Sequence, residues 1–215
     1  MTPNTRLVYF ADPMCSWCYG FGKEMDLLLQ RHPDASLKIV LGGLGVGATD
    51  ILDDAGKLFR LHHWAKVEEA SGLPFNREGL LARTNFVYDT EPVCRAVVAA
   101  RVLRPEGKIL KVFRAFQHAF YVDALDTTNG AVLADVGSRA LTQLGHAVSA
   151  EEFLSTWNNR STIEETADDF AASRAMGVLS FPALFIKEGN TLRLVGQGYA
   201  PVDELEAHLS AMVAA

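Results

Sequence analysis

Two short apolar runs flank one amphipathic stretch within the first 48 residues. Arg6–Phe10 is apolar, contains aromatic and β-branched side chains and precedes the turn signal Asp12-Pro13, so it predicts a short buried strand. From Ser16 to about Arg31, apolar residues fall on one side at helical spacing, which predicts a helix. Leu37–Leu41 predicts a second buried strand. Strand, helix and strand in this order form a βαβ unit.

The pattern between residues 49 and 159 is helical throughout. Thr90-Glu91-Pro92 is typical of a helix start, with proline in the first turn. Ile109–Phe120 carries apolar residues at i, i+3, i+4, i+7 and i+11, which predicts an amphipathic helix. Ser149-Ala-Glu-Glu152 has the spacing of a capping box. Since no stretch here has convincing strand character, we predict an all-helical insertion.

Short strands return near the C-terminal end. Ser161-Thr-Ile-Glu164 has capping-box spacing and predicts a helix start. Pro182–Ile186 and Thr191–Val195 predict two strands, joined by a hairpin turn at Glu188-Gly189-Asn190. Pro201 begins a final helix with acidic residues in its first turn.

These elements together predict an α/β fold in two domains. The sheet domain is discontinuous and comprises residues 1–48 and 160–215, and the all-helical domain comprises the inserted residues 49–159. A chain of 215 residues is long enough for this arrangement and buries enough apolar surface to need no disulfide or metal staple.

Composition narrows the classes of function. Apolar residues make up 49% and charged residues 21% of the chain, as in ordinary globular proteins. The net charge of -6 argues against a nucleic-acid partner, which calls for a basic face. No apolar run approaches the length of a membrane span, so we expect no membrane association. The polar start Met1–Arg6 has no export-signal pattern, so we expect a cytoplasmic protein.

The strongest chemical signal is the motif Cys15-Ser16-Trp17-Cys18 at the start of the first predicted helix. Two cysteines at i and i+3 on a helix start can form a disulfide with little backbone movement, and the helix dipole stabilises a thiolate at the first of them. A thiolate is the nucleophile in disulfide exchange. We therefore expect Cys15 to attack a substrate and Cys18 to resolve the mixed disulfide.

A zinc site is the competing interpretation of this spacing. A structural zinc site takes four ligands, and the chain has no second close cysteine pair. Cys94 and His62-His63 would have to converge on the pair from the helical insertion. Placement within a βαβ unit favours redox chemistry instead, so we expect neither a metal nor another bound cofactor.

Phe181-Pro182, at the start of a predicted strand, is a second candidate feature. Proline is tolerated there because a strand start does not need its N–H, and this ordinary explanation is favoured from the sequence alone. The functional alternative is a cis Phe181-Pro182 bond that faces the cysteine pair and leaves a backbone edge free for an extended substrate.

The order of these motifs resembles the DsbA family, in particular its FrnE-like branch, whose members are described as candidate protein disulfide isomerases. The likeness rests on Asp12–Gly20 after the first strand, on the helical middle with Thr90–Arg101, and on Gly177–Pro182 before the hairpin. It spans nearly the whole chain. The resemblance implies a thioredoxin-like fold with an inserted all-helical domain, catalysis by Cys15 and Cys18, and a cis proline at Pro182.

Two positions depart from the family pattern. Ser16-Trp17 replaces the Pro-His of typical periplasmic DsbA, and the loss of the histidine weakens the expectation of a strong oxidant. Tyr9 stands six residues before the first cysteine, where these families usually keep a buried acid, so a proton relay through that acid is not expected. Asp12 is interpreted as a turn residue beside Pro13.

Three further features have mainly structural interpretations. Cys94 lies on an apolar helix and is interpreted as a buried structural thiol, with a third exchanging thiol as the alternative. We expect Trp17 to be exposed beside the reactive sulfur, with a packing role as the alternative. Gly42–Gly47 lacks the order of a phosphate-binding motif and is expected to ease the passage into the insertion.

The sequence thus predicts a thiol–disulfide oxidoreductase or isomerase acting on protein or peptide thiols, with Ser16, Trp17, Phe181 and Pro182 contacting the substrate. Glutathione is a further candidate partner, and the sequence carries no prediction of the oligomeric state. A reducing cytosol sustains net reduction or isomerisation more easily than net oxidation.

Two alternatives remain open. One is a glutathione-linked isomerase or transferase of the 2-hydroxychromene-2-carboxylate isomerase or kappa type, although such proteins typically lack the second cysteine. The other is a redox-sensing or metal-buffering binding protein.

Overall fold

The computed structural model describes residues 5–105 and 108–213. It contains a four-stranded sheet of order β2-β1-β3-β4. β1 pairs parallel with β2 and antiparallel with β3, and β3 pairs antiparallel with β4. The strands are β1 (Arg6–Ala11), β2 (Ser36–Leu41), β3 (Ala183–Glu188) and β4 (Thr191–Gln197). Residues 1–4, on which the expectation about export partly rests, lie outside the described residues.

The helices surround this sheet and fill the long segment between β2 and β3. They are α1 (Ser16–Arg31), α2 (Asp54–Ser71), α3 (Arg77–Leu81), α4 (Glu91–Leu103), α5 (Ile109–Tyr121), α6 (Gly130–Gln143), α7 (Ala150–Trp157), α8 (Arg160–Ala175) and α9 (Val202–Val213). Within the described part of the predicted insertion, the only extended pairing is a single bridge between Ile51 and Val87. The mixed α/β class predicted from the sequence is confirmed.

Helix starts match the sequence signals in one case and differ in another. Ser149 caps α7 as predicted, because its side chain accepts a hydrogen bond from the Glu152 N–H at 3.0 Å. The capping box assigned to Ser161 is wrong. Asn159 caps α8 instead by accepting from the Ser161 N–H at 3.0 Å, and the helix begins at Arg160. An asparagine two residues upstream satisfies the free N–H first, so the helix starts earlier.

Strand β1 is buried on both of its faces, which explains its continuous apolar sequence. Leu7, Tyr9 and Ala11 face the main core against α1, whereas Val8 and Phe10 face a smaller cluster on the opposite side. The alternation follows the two-residue period of a strand. β1 therefore forms the centre of the sheet, and its C-terminal end leads directly to the cysteine pair.

Helix α4 is the centre of the helical part. It packs against α5, α6, α7 and α8, and its residues Val93, Cys94 and Ala96–Ala100 are all 0% exposed. Its side chains share one continuous apolar core with those of β1 and α1. The sheet and the helical part are thus joined by a common core, with α4 extending beneath the cysteine-bearing turn.

Candidate active site

Cys15 and Cys18 lie where the chain passes from β1 into α1. Cys15 is the N-cap residue of α1, and its backbone N–H donates to the Asp12 carbonyl at 3.1 Å, which closes a tight turn. Cys18 follows in the first turn of the helix, and the two cysteines approach to 3.4 Å. Both are free thiols. Local spacing therefore brings the two side chains together.

The two cysteines differ in their surroundings. Cys15 is 6% exposed and Cys18 is 0% exposed. Burial raises the pKa of the Cys18 thiol well above its ordinary value; the adjacent Cys15 adds to this rise, and the backbone N–H of Asp12 opposes it. Cys15 instead lies at the positive end of the α1 dipole. This arrangement suits Cys15 for attack on an external sulfur and Cys18 for an internal step.

Tyr9 contacts the pair from β1. It is fully buried, and its hydroxyl donates to the Cys18 carbonyl oxygen at 3.4 Å. Burial raises the pKa of Tyr9 well above its ordinary value, and the nearby Cys18 and Cys15 raise it further. The hydroxyl therefore stays protonated at physiological pH, and Tyr9 is a neutral hydrogen-bond donor beside the cysteine pair.

The loop before β3 lies beside the reactive turn. The Phe181–Pro182 peptide bond is cis, as the family resemblance implies. The Cys15 thiol donates to the Phe181 carbonyl oxygen at 3.5 Å, although 166 positions separate the two residues along the chain. Pro182 is buried, whereas Phe181 is half-buried. The loop thus provides a backbone edge next to the thiol.

Ser16 and Trp17, between the two cysteines, are both half-buried. The ring of Trp17 lies 6.3 Å from the ring of Tyr199 and packs on the edge of the main core. The Tyr199 hydroxyl donates to the Glu24 carboxylate at 3.1 Å, which holds that ring in place. Trp17 therefore combines partial exposure with packing, the two roles that the sequence left as alternatives.

Asp12 is more than a turn residue, and this corrects the interpretation from the sequence. It is 0% exposed. One carboxylate oxygen accepts from the Met14 N–H at 2.8 Å, and the other accepts from the Leu44 N–H at 2.7 Å. Burial raises the pKa of Asp12, and these hydrogen bonds oppose the rise. The only sequence signal for a buried role of Asp12 is its position directly after a buried strand. The sequence does not reveal that the Leu44 N–H is its distant hydrogen-bond partner.

The glycine-rich run after β2 is also part of the site, in addition to linking the domains. A Cβ at Gly42 would lie 2.1 Å from the Phe181 ring, and a Cβ at Gly43 would lie 2.9 Å from the Phe170 ring. Two aromatic rings therefore rest directly on the backbone of this run. Glycine is required at Gly42 because no side chain fits between the loop and Phe181.

Other predicted features lie apart from the surface of the site. Cys94 is 0% exposed on α4, as expected for a structural thiol. Among residues 5–105 and 108–213, the side chains of His, Cys, Asp and Glu form no group of three or more that could hold a metal ion. No helix in the described part of the chain is long and apolar enough to cross a membrane.

Comparison with known proteins defines the class. No protein-family model and no curated protein sequence matches the chain. Among solved structures, the chain is similar to a candidate protein disulfide isomerase from Nitrosomonas europaea, with 32% identity and a TM-score of 0.86 over 98% of each chain. The fold is therefore thioredoxin-like with added helices, as implied by the resemblance.

Two further structures share the fold at lower identity. The cytosolic disulfide reductase DsbM from Pseudomonas aeruginosa has 22% identity and a TM-score of 0.76 over 97% of this chain and 98% of that chain, and it has also been solved with glutathione. A 2-hydroxychromene-2-carboxylate isomerase has 14% identity and a TM-score of 0.63 over 97% and 95% of the two chains.

The 32% identity with the Nitrosomonas europaea protein, over 98% of each chain, shows the family of the chain. The chain belongs to the DsbA family of thiol–disulfide oxidoreductases.

Proposed function

We propose that the protein exchanges disulfides with protein or peptide thiols through Cys15 and Cys18. The observation that carries this proposal is the position of the Cys15 thiol at the start of α1, 3.5 Å from the Phe181 carbonyl oxygen and beside the buried Cys18. A slightly exposed nucleophile beside a backbone edge, with a second, fully buried thiol next to it, suits a two-step exchange.

The exchange conserves sulfur atoms and electrons. In the reducing direction, the Cys15 thiolate attacks one sulfur of a substrate disulfide, which forms a mixed disulfide and releases one substrate thiolate. Cys18 then loses its proton and attacks Cys15, which forms the Cys15–Cys18 disulfide and releases the second substrate thiolate. Two electrons pass to the substrate, and an external thiol returns the pair to the dithiol form.

Substrate contact is expected along the loop that precedes β3. Main-chain groups near Phe181 and Pro182 would pair with an extended peptide, while Ser16 and Trp17 border the reactive sulfur. Two apolar side chains in adjoining loops support contact with a peptide: Leu44 is 52% exposed and Leu179 is 75% exposed. These exposed side chains are available for contact with apolar groups of a peptide bound at this loop.

A small thiol such as glutathione is a second substrate in this proposal. The likeness to DsbM, which has been solved with glutathione, supports it. DsbM is described as a cytosolic disulfide reductase, and the same compartment and direction are proposed here. In a reducing compartment, glutathione keeps the pair in the dithiol form, which favours net reduction or isomerisation of substrates.

Replacement of the attacking sulfur tests the proposal. We expect Cys15→Ser to abolish dithiothreitol-dependent insulin reduction, because a serine hydroxyl cannot form a mixed disulfide. The free energy of unfolding, measured in urea, serves as the control for an intact fold. Insulin reduction retained in a folded Cys15→Ser protein would contradict the proposal.

A glutathione-linked isomerase or transferase is the alternative activity. The fold shared with 2-hydroxychromene-2-carboxylate isomerase supports it at the level of architecture only. The second thiol, Cys18, has no role in such a reaction. Calorimetry of glutathione with the reduced and oxidised protein separates the two: tight binding that is independent of the redox state of the pair favours the alternative.

A further inference from the structure

The Asp12 carboxylate joins two segments that meet at the reactive turn. Its first oxygen accepts from the N–H of Met14, the residue before Cys15, at 2.8 Å. Its second oxygen accepts from the N–H of Leu44, within the glycine-rich run, at 2.7 Å. Because Asp12 is 0% exposed, water does not compete for these bonds. The carboxylate therefore ties the turn and the run to each other.

One turn of α4 supports this carboxylate from below. The Cys94 thiol donates to the second oxygen of Asp12 at 3.7 Å. The Thr90 side chain also hydrogen-bonds the carboxyl group, and its hydroxyl oxygen accepts from the Gly45 N–H at 3.1 Å. Cys94 and Thr90 are both 0% exposed and one helical turn apart. The helical part thus contacts the same carboxylate and the same run.

We propose that Cys94 is a positioning residue, whose thiol holds the Asp12 carboxylate in the ionised arrangement that links the Cys15 turn to the glycine-rich run. This inference rests on the proposed function of Cys15 and Cys18. It assigns Cys94 the role of a hydrogen-bond donor, in place of a third exchanging thiol.

The chemistry of Cys94 agrees with a donor role. Burial raises the pKa of Cys94 well above its ordinary value, and the charge of Asp12 raises it further. The sulfur therefore stays protonated and its hydrogen remains available to Asp12. A protonated, enclosed thiol is a poor nucleophile. In return, the thiol hydrogen bond favours the ionised form of Asp12.

The link reaches the reactive sulfur along two routes. The first is direct, because Met14 precedes Cys15 in the turn. The second runs along the glycine-rich run: the backbone of Gly42 contacts the Phe181 ring, and the Phe181 carbonyl oxygen accepts from the Cys15 thiol at 3.5 Å. Loss of the Cys94 hydrogen bond to Asp12 would therefore weaken both the turn at Met14 and the contact of Phe181 with Cys15.

The titratable groups facing Asp12 come from several elements and must be considered together. Cys18 lies on α1 and Cys94 on α4, and the charge of Asp12 raises the pKa of both thiols. Burial raises the pKa of Tyr88, before α4, and of Tyr121 on α5, and the charge of Asp12 adds a smaller rise to each. Cys94 is the member of this set whose thiol donates directly to the carboxylate.

The first test follows the Asp12 carboxyl itself. We expect Cys94→Ala to lower the acid ionisation constant of Asp12 about threefold, since a thiol is a weak donor to a charged acceptor. Cys94→Ser keeps a donor and is expected to restore part of the change. Val93→Ala, at an equally buried neighbour, controls for lost volume. The readout is an NMR titration of isotope-labelled aspartate carboxyl groups.

The second test follows the cysteine pair. Because a loosened Asp12 link holds the turn before Cys15 less firmly, closure of the Cys15–Cys18 disulfide becomes less favourable. We therefore expect Cys94→Ala to shift the redox equilibrium against glutathione toward the dithiol, by at most about threefold. Equal shifts in Cys94→Ala and Val93→Ala, or an unchanged Asp12 titration in Cys94→Ala, would overturn the inference. The carboxyl titration needs no exchange activity, so it remains decisive even if the wild-type protein fails to exchange disulfides.

Discussion

The sheet side and the helical side of the active site hold the cysteine pair in different ways. On the sheet side, Phe181 and Gly42 are half-buried and make close contact at the edge of the protein. On the helical side, Thr90 and Cys94 are fully buried and act through hydrogen bonds. The sheet side therefore carries partly exposed groups, where the proposed substrate contact would form, whereas the helical side supplies an enclosed support.

The two sides can therefore hold the cysteine pair by different physical means. Groups that meet a substrate have to remain accessible, so they cannot be held by burial alone. Buried hydrogen bonds are costly to break, because water does not replace them. Helix α4 therefore contacts the Asp12 carboxylate, and through it the reactive turn, from a fully buried position.

The largest effect is expected from Cys18→Ser, which removes the internal step and leaves the substrate edge intact. In a single turnover with glutathione disulfide, we expect Cys15 to keep one glutathionyl group roughly a hundredfold longer than in the wild type, because the resolving thiol is gone. Mass spectrometry of the quenched protein measures the adduct. Cys15→Ser serves as the matched control and should carry no adduct at this position. Equally rapid loss of the adduct in Cys18→Ser would contradict the assignment of Cys18.

The contact on the sheet side is tested by Gly42→Ala. The added methyl group would meet the Phe181 ring at 2.1 Å, so we expect the protein to lose about 2 kcal/mol of unfolding free energy through overpacking. We also expect weaker substrate contact, because Phe181 must move. Gly196→Ala is the control, since its nearest atom lies 3.8 Å away. Urea denaturation measures both variants. Equal stability of the two alanine variants would argue against a tight Gly42–Phe181 contact.

The smallest effect concerns the ionisation of the Asp12 carboxyl group, which accepts a hydrogen bond from Cys94 on the helical side. Burial raises the pKa of Asp12 in the folded state, so folding favours its protonated form. The resulting stability is present below the unfolded pKa of about 4 and is lost as the pH rises through the folded value. Relative to Asp12→Asn, the wild type should therefore lose stability with rising pH, by less than about 1.4 kcal/mol per pH unit. Urea denaturation across a pH series measures the slope, and parallel curves for the two proteins would contradict it.

Much of the fold was predictable from local patterns. The first helix is predicted from Ser16 to about Arg31 and is observed over the same residues, because apolar spacing and the stop at His32-Pro33 act locally. The start of α8 was misplaced, since Asn159 and Ser161 both have side chains that cap helices and the sequence does not rank them. The proposed bounds of the insertion, 49 and 159, stay a prediction because one core joins both parts.

The candidate site was predictable where its residues are close in sequence. Cys15 and Cys18 are three positions apart, so helical geometry alone brings them together. Asp12 and Gly42 were assigned minor roles, because their contacts with Leu44 and Phe181 cross long stretches of chain. A carboxylate after a strand is as compatible with an exposed turn as with a buried centre. Only the packing of β1, β2 and α4 distinguishes these cases.

The amino-acid sequence by itself determined the elements of the fold, the cysteine pair and the order in which its two sulfurs are expected to act. These depend on spacing, apolar periodicity and the direction of a helix dipole, all of which are local. The tertiary structure decided which side chains surround the pair. It brought the Tyr9 hydroxyl to the Cys18 carbonyl oxygen and the Phe181 carbonyl oxygen to the Cys15 thiol. It also brought the Cys94 thiol to the Asp12 carboxylate. Such contacts join distant segments, and burial sets their strength, so they arise only when the whole chain has packed.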